Sequence, residues 1–286
     1  MAPFMTLFIL VFLIPIGVSL YSSFFKQISE GGGLYGGGEL KDTFVGFLNY
    51  AEVVSNMAFW RGMGRVLLYA AFQIPIMILM AMGLALLLDS FLVKRVGGFR
   101  LSWFMPYAIP GIIAAMVWLY LYTPGISPIN QGLSALGVDF NFMSRNIILV
   151  SMANMTTWTY TGYNMLIFLA ALQAVPHELY EAARIDGATG WQITTKIKVP
   201  LLRGAALLAV LLSIIGTVQL FNEPTIMSTV NPWMGKDYTP MMMAYNTMMG
   251  TLSPSGDGPA SAVSLVMALI AGALAVIYAL AQRKVD

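Results

Sequence analysis

The sequence contains no cysteine and a single histidine, His177. Without cysteine there is no disulfide framework, no thiolate metal site and no thiol nucleophile. One histidine argues against a histidine-based metal centre or catalytic triad, and no metal site and no catalytic residue are expected. Charge is equally scarce, with 15 Lys+Arg and 13 Asp+Glu making up 10% of 286 residues, where soluble domains carry roughly 25%. A net charge of +2 makes no case for nucleic acid or another polyanion. The phosphate-binding pattern G-x-x-x-x-G-K-[ST] is missing, because Gly235-Lys236 is followed by Asp237 and preceded by no suitable glycine spacing. The first apolar segment, from Phe4 to Phe25, has no A-x-A end and is too long for a signal-peptide core, so it is read as a retained span.

What the chain does have is apolar length. Hydrophobic residues make up 58%, and charge-free stretches run from Met1 to Phe25, Val66 to Leu88, Leu101 to Val138, Asn146 to His177, Gly204 to Asn222 and Gly258 to Gln282. A membrane-spanning helix needs about 20 mostly apolar residues. The expected fold is therefore all-α and polytopic, one transmembrane domain over residues 1–286 with six spans near 4–25, 66–88, 103–122, 147–170, 205–227 and 260–281. Lys94, Arg95 and Arg100 follow the second span. Arg184, Lys196, Lys198 and Arg203 follow the fourth, and Arg283 and Lys284 lie in the tail. The alternate connections, longer in total, hold only Lys26, Lys41, Arg61, Arg65, Arg145 and Lys236. Short cytoplasmic loops collect Lys and Arg, so both termini are expected in the cytoplasm.

The external connections differ in character. Gly31-Gly32-Gly33 and Gly36-Gly37-Gly38 make the segment between Lys26 and Gly64 read as flexible, with little packing capacity. Residues 231–259 carry Pro232, Pro240, Pro254 and Pro259. Within them Met241-Met242-Met243-Ala244-Tyr245 reads either as a short interfacial helix or as filler packed on neighbouring helices, a use that suits methionine.

The most informative stretch is the expected cytoplasmic loop 176–203, which includes PHELYEAARIDGATGWQITTKIKVPLL. Pro176 opens a helix, HELYEAARI is mostly helix-forming, Asp186-Gly187 breaks it, TGWQITTKIK resumes and Pro200 ends it. This reads as a rigid helical pair that another protein can grip, with a solvated linker as the plainer alternative. Glu181-Ala182-Ala183, Asp186-Gly187-Ala188 and Ile197-Lys198-Val199-Pro200 resemble the EAA loop of permease subunits in binding-protein-dependent ABC importers. Phe44-Val45-Gly46-Phe47-Leu48-Asn49-Tyr50 resembles the F-x-G-x-x-N-Y segment of the sugar-permease (maltose/oligosaccharide) branch. Phe104-Met105-Pro106 through Trp118 to Gly125 and Asn130 resembles its third span and following loop. Thr194 stands where an aromatic residue is common and Gly204 where a second proline is common, which leaves the shape of the second short helix open.

The resemblance implies a type I importer permease in a prokaryotic inner membrane. Its EAA loop, here Glu181, Ala182, Ala183, Asp186, Gly187 and Ala188, would form a coupling helix docked on a separate ATP-hydrolysing subunit. The implied partners are a second, similar permease, two ATP-binding subunits that hold the ATP and Mg, an extracytoplasmic sugar-binding protein, and lipid. This chain itself would carry no cofactor.

Polar side chains at membrane depth are candidates for the solute path. Thr156, Thr159, Tyr160 and Tyr163 recur at i, i+3, i+4 and i+7 of the fourth span and so share one helical face. Hydroxyls beside aromatic rings suit a sugar, and in permeases resembling this one the substrate contacts of this span match these four positions. The alternative is hydroxyl bonding between helices. The fifth span adds Gln219, Asn222 and Glu223, with Pro224 a candidate helix break. Glu223 either faces a wet cavity or pairs with Arg61 or Arg65. The rival class, an ion-coupled secondary transporter of a small polar solute, usually shows midplane ionisable groups and a repeat, whereas this chain has one candidate carboxylate, Glu223, and no clear repeat.

Overall fold

A computed structural model describes residues 2–30, 39–90 and 96–283. The triglycine runs, Lys94, Arg95 and Lys284 lie outside the described residues. In chain order the first apolar run forms α1 (Ala2–Phe8), a π turn (Ile9–Leu13) and α2 (Ile14–Ser22). A hairpin, β1 (Phe25–Glu30) and β2 (Glu39–Phe44), and α3 (Leu48–Ser55) follow. Then come the long α4 (Met57–Leu88), α5 (Val96–Phe104), a 3-10 turn (Met105–Ala108), α6 (Gly111–Tyr122), α7 (Pro128–Ala135) and α8 (Ile148–Gln173). The last stretch holds α9 (His177–Ile185), α10 (Gly190–Ile193), a second π turn (Thr194–Lys198), α11 (Val199–Leu201), α12 (Arg203–Val218), α13 (Asn222–Ser228), α14 (Pro240–Met248) and α15 (Asp257–Arg283).

Among the described residues four helical stretches, Pro3–Ser22, Met57–Leu88, Arg203–Ser228 and Asp257–Ala281, are long and apolar enough to cross a bilayer. The expected third span is not one straight helix. Val96–Ala108 and Gly111–Tyr122 meet at 95°, because Ile109, forced out of the α region by the proline after it, has ψ 130° and Pro110 has ψ 132°. Taken as one broken span they make a fifth. α8 is 26 residues long, but its Thr, Asn and Tyr content dilutes the apolar character that marks the others.

Two compact units divide the chain. The first comprises Met1–Leu67 and Val218–Leu274. Here the expectations of an all-α fold and of a Lys26–Gly64 connection with little packing capacity need correcting: β1 and β2 pair antiparallel with Phe25 opposite Phe44. The F-x-G-x-x-N-Y residues build that corner. Gly46 takes φ +57°, which glycine adopts without strain. The Phe47 ring meets Phe24 edge-on at 5.4 Å. Asn49 donates to the Ser23 and Phe25 carbonyls, both at 2.8 Å, and the Tyr50 and Ser23 hydroxyls lie 2.6 Å apart. Lys26 pairs with Glu52 at 2.6 Å. In the same unit Met243 and Ala244 of α14 are buried in a core with Phe59, Met63, Ala262 and Val263, so the methionine run is a packed helix.

The second unit comprises Leu68–Thr217 and Ala275–Asp286. Its core joins Met77, Ala81 and Leu88 of α4 to Met165, Phe168, Leu169 and Leu172 of α8, with Leu202 and Ala209. The tightest contact is backbone on backbone: a Cβ on Gly162 of α8 would lie 1.8 Å from the Trp103 carbonyl oxygen of α5. Gly162→Ala is therefore expected to destabilise the chain by about 1–3 kcal/mol through overpacking. That outweighs the roughly 1 kcal/mol a helix gains from losing a glycine. Gly83→Ala, on α4 with nothing within 4 Å of its Cβ position, is expected to be neutral or stabilising. Thermal unfolding in detergent checks both.

Candidate functional site

The expected stripe of α8 divides into two kinds of residue. Thr156 accepts a 2.6 Å hydrogen bond from the Tyr69 hydroxyl of α4. Thr159 is buried and donates its own hydroxyl to the Met155 carbonyl at 3.0 Å. Tyr160 and Tyr163 are turned toward a third ring, Tyr107, carried by the 3-10 turn at the break of the third span. Tyr107 and Tyr163 stack at 4.7 Å with 18° between planes, and Tyr107 meets Tyr160 at 5.7 Å nearly edge-on. Tyr107 and Tyr160 remain 38% and 40% exposed, so the cluster presents hydroxyl-bearing aromatic surface. Tyr107 is the residue that sequence reasoning missed. Its one signal is its place between Pro106 and Pro110, where a bend re-aims a side chain that a straight helix would not deliver.

Behind the stripe, α4 and α8 share a buried polar strip. Gln73 is 1% exposed with its amide nitrogen 3.3 Å from the Met77 sulfur, and Asn164 is buried with its amide donating to the Tyr160 carbonyl at 3.0 Å. The Asn164 amide also lies 3.7 Å from the Met77 sulfur of α4, a contact between helices of the kind that polar side chains commonly make in membranes.

The fifth-span candidates sit at a real break. α12 stops at Val218 and α13 starts at Asn222, so Gln219 lies in the gap and is exposed, while Asn222 and Glu223 form the first turn of α13. The helix breaks before Pro224, not at it. Pro224 occupies the first turn, where its missing N–H removes no bond. The freed Leu220 carbonyl accepts from the Thr239 hydroxyl at 3.0 Å. Of the two arginines considered for Glu223, Arg65 donates to the Tyr238 carbonyl at 3.0 Å with its guanidinium 4.4 Å from that ring's centre, and Arg61 Nε faces the Met57 carbonyl.

The helical pair at 177–203 is built as its sequence foretells at one end and differently at the other. α9 has Glu178 in its first turn and Arg184 in its last, each favourable to the helix dipole. Its end is a Schellman closure: Gly187 has φ +81°, its N–H reaches the Arg184 carbonyl at 3.0 Å, and the Ala188 N–H reaches Ala183 at 2.9 Å. Thr189 then caps α10 in a reciprocal box with Gln192. The expectation that Pro200 ends this second helix is overturned. The π turn at Thr194–Lys198 widens the backbone, Val199 N–H bonds to Thr194, and Pro200 sits at the second position of α11, so helical backbone runs on with only a turn at Leu202 before α12. Glu181, Ala182, Asp186 and Gly187 are exposed, Ala183 and Ala188 half-buried. Three exposed apolar side chains unmarked by the motif lie beside them: Leu179 at 47%, Ile185 at 86% and Trp191 at 76%.

Several bilayer-length helices, one of them broken beside a cluster of tyrosines, and a charged helical pair with apolar residues outermost define a membrane transport component. The chain belongs to the family of binding-protein-dependent transport system inner membrane components, whose description matches residues 104–286. It is 28% identical over 272 residues to a probable ABC transporter permease protein of Pyrococcus horikoshii, covering 94% of this chain and 92% of that one. It is also 28% identical over 290 residues to the sulfoquinovosyl glycerol transport system permease protein of Agrobacterium fabrum, covering 100% and 90%. To the trehalose/maltose transport system permease protein of Thermococcus litoralis it is 29% identical over 237 residues, covering 82% and 78%. A bacterial ABC transporter that imports the acidic polysaccharide alginate shares the fold, with a TM-score of 0.77 at 18% identity over 99% of this chain and 93% of that one.

The Tyr69–Thr156 bond ties α4 to the stripe itself. Tyr69→Phe is expected to lower stability by about 0.5–1.5 kcal/mol, the usual net worth of a hydrogen bond, with little change of fold. Thermal unfolding compared with circular dichroism of the unheated protein measures both.

Proposed function

We propose that this chain is half of the transmembrane pathway of an ATP-driven importer for a sugar or oligosaccharide. It works beside a second permease, receives its solute from an extracytoplasmic binding protein and is driven by two separate ATPase subunits that hold ATP and Mg. The observation that carries the reading is the helical pair 177–203. Its Schellman turn and capping box hold two short helices at a fixed angle, and they present Leu179, Ile185 and Trp191 beside Glu178 and Glu181. An apolar centre with a charged rim is the form of a docking surface, here for an ATPase subunit. The excess of Lys and Arg on this side of the chain supports a cytoplasmic placement of the pair and of both termini, with six spans in all, α8 among them.

For the solute, the support is the α8 face. Tyr160, Tyr163 and Tyr107 offer rings for the C–H face of a sugar and hydroxyls for its OH groups. Thr156 and Thr159 lie on the same face, and Gln219, Asn222 and Glu223 are the fifth-span candidates. The substrates named for relatives, trehalose/maltose and sulfoquinovosyl glycerol, are sugars or sugar derivatives, in keeping with such a surface.

Gly187→Asp puts a side chain at φ +81°, and Glu181→Lys reverses an exposed charge. Both variants are expected to insert normally yet lose most of the co-purifying ATPase, and wild-type recovery together with normal uptake would sink the docking role. On the solute side, Tyr160→Ala with Tyr163→Ala is expected to raise the half-saturating concentration for uptake about tenfold, since each ring contact is worth about 0.5–1.5 kcal/mol and 1.4 kcal/mol is tenfold. Uptake titrations in proteoliposomes with an intact complex decide it; an unchanged titration removes this face from the path.

A further inference from the structure

The helical pair is fastened to the end of α4 by an ion pair whose acidic member, Asp89, lies outside the EAA pattern. Asp89, one residue past α4, accepts from Lys198 Nζ at 2.5 Å, with side-chain exposures of 18% and 13%. The same ammonium lies 5.1 Å from the centre of the Tyr180 ring of α9. Burial pushes the Tyr180 phenol above its ordinary value and the Asp89 carboxylate adds to the rise, which keeps the ring neutral beneath the cation. Below this ionic layer Leu88, Leu172 and Leu202 are packed in one apolar core. Three chain segments thus converge on one ammonium, and removing either charge leaves the other partly buried without its partner, a costly state.

α4 is also the helix that touches the solute stripe. Tyr69, on the same helix 20 positions before Asp89 and so about 30 Å away at 1.5 Å per residue, donates to Thr156. α4, joined to the pair at its C-terminal end and to the stripe at Tyr69, runs as one continuous helix through Pro75 and can carry motion between them. Resting on the docking role given above, we propose that Asp89 and Lys198 are positioning residues, forming the joint through which the ATPase-bound helical pair moves α4 and, with it, the Tyr69–Thr156 contact. Neither residue touches solute or nucleotide in this scheme.

The absence of cysteine makes the test direct. Leu87→Cys on α4 and Lys196→Cys on the second π turn, both exposed, take spin labels in the full transporter assembled with cysteine-free partner subunits. The label separation is measured without nucleotide and after trapping with ATP and vanadate. With the joint intact the two labels are expected to move as one, giving the same separation in both states. Lys198→Met or Asp89→Asn is expected to let the separation shift or broaden by about 2 Å or more on trapping, the scale of helix shifts in switching proteins. The exchanged pair Asp89→Lys with Lys198→Asp should restore the single separation, which a loss of packing alone would not. A separation that changes on trapping with the joint intact, or Lys198→Met behaving as wild type, overturns the joint. Failure of the ATPase to co-purify with the wild-type chain overturns the docking role and the joint together, so the two failures are told apart.

Discussion

The approach of the Trp103 carbonyl to Gly162 sets the geometry of the second unit. Only a residue without a Cβ lets α5 lie directly on α8, and that places the following turn, Met105–Ala108, against the middle of α8. The chain then needs to leave this path, and Pro106 and Pro110 turn it. Inside a bilayer such a break is tolerated only where the freed backbone groups find partners in the protein. Here prolines supply two of the positions and so have no N–H to satisfy. Ile109 N–H reaches Pro106 at 3.2 Å, and Ala114 N–H reaches Pro110 at 3.0 Å. The Tyr107 ring arrives on Tyr163 as a consequence of the contact and the break together; neither alone puts it there.

Proline elsewhere in the chain is housed in another way. Pro15 and Pro200 each sit two positions after a π turn, Ile9–Leu13 and Thr194–Lys198, with Ile14 N–H bonded to Ile9 and Val199 N–H to Thr194. A proline ring in an unbroken α-helix clashes with the carbonyl four residues back. The wider i→i+5 turn shifts those carbonyls and lets the helix continue. At 194–198 this keeps the helical pair in mechanical continuity with α12, which a helix ending at Pro200 would not do.

Legibility in the sequence followed the range of the interactions. The Asp186-Gly187 turn was readable because a Schellman closure is local: its hydrogen bonds span Ala183 to Ala188 and need one positive φ. The apolar spans were readable from composition, and the hydroxyl stripe from helical spacing. Tyr107 was not, because its meeting with Tyr163 depends on a bend held by the packing of Trp103 on Gly162, two residues far apart in the chain. The hairpin was hidden by strands of six residues, too short for alternation to stand out beside glycine runs. Lys198 gave no sign of its partner, since Asp89 is 109 positions distant and both look like ordinary loop charges.

The polar content of α8 then separates into two economies of hydrogen bonding. Thr159, Thr161 and Asn164 donate to carbonyls four residues back at 3.0, 2.6 and 3.0 Å, and all three are buried. Such groups let a polar helix sit among others without unsatisfied donors. Tyr160 and Tyr107 differ: their rings meet nearly edge-on at 5.7 Å, and over a third of each is exposed. On the solute role proposed above, a surface of half-exposed rings offers contacts that form and release without disturbing the helix beneath. The face that spacing alone marked as one stripe thus joins a buried Thr159 to a half-exposed Tyr160.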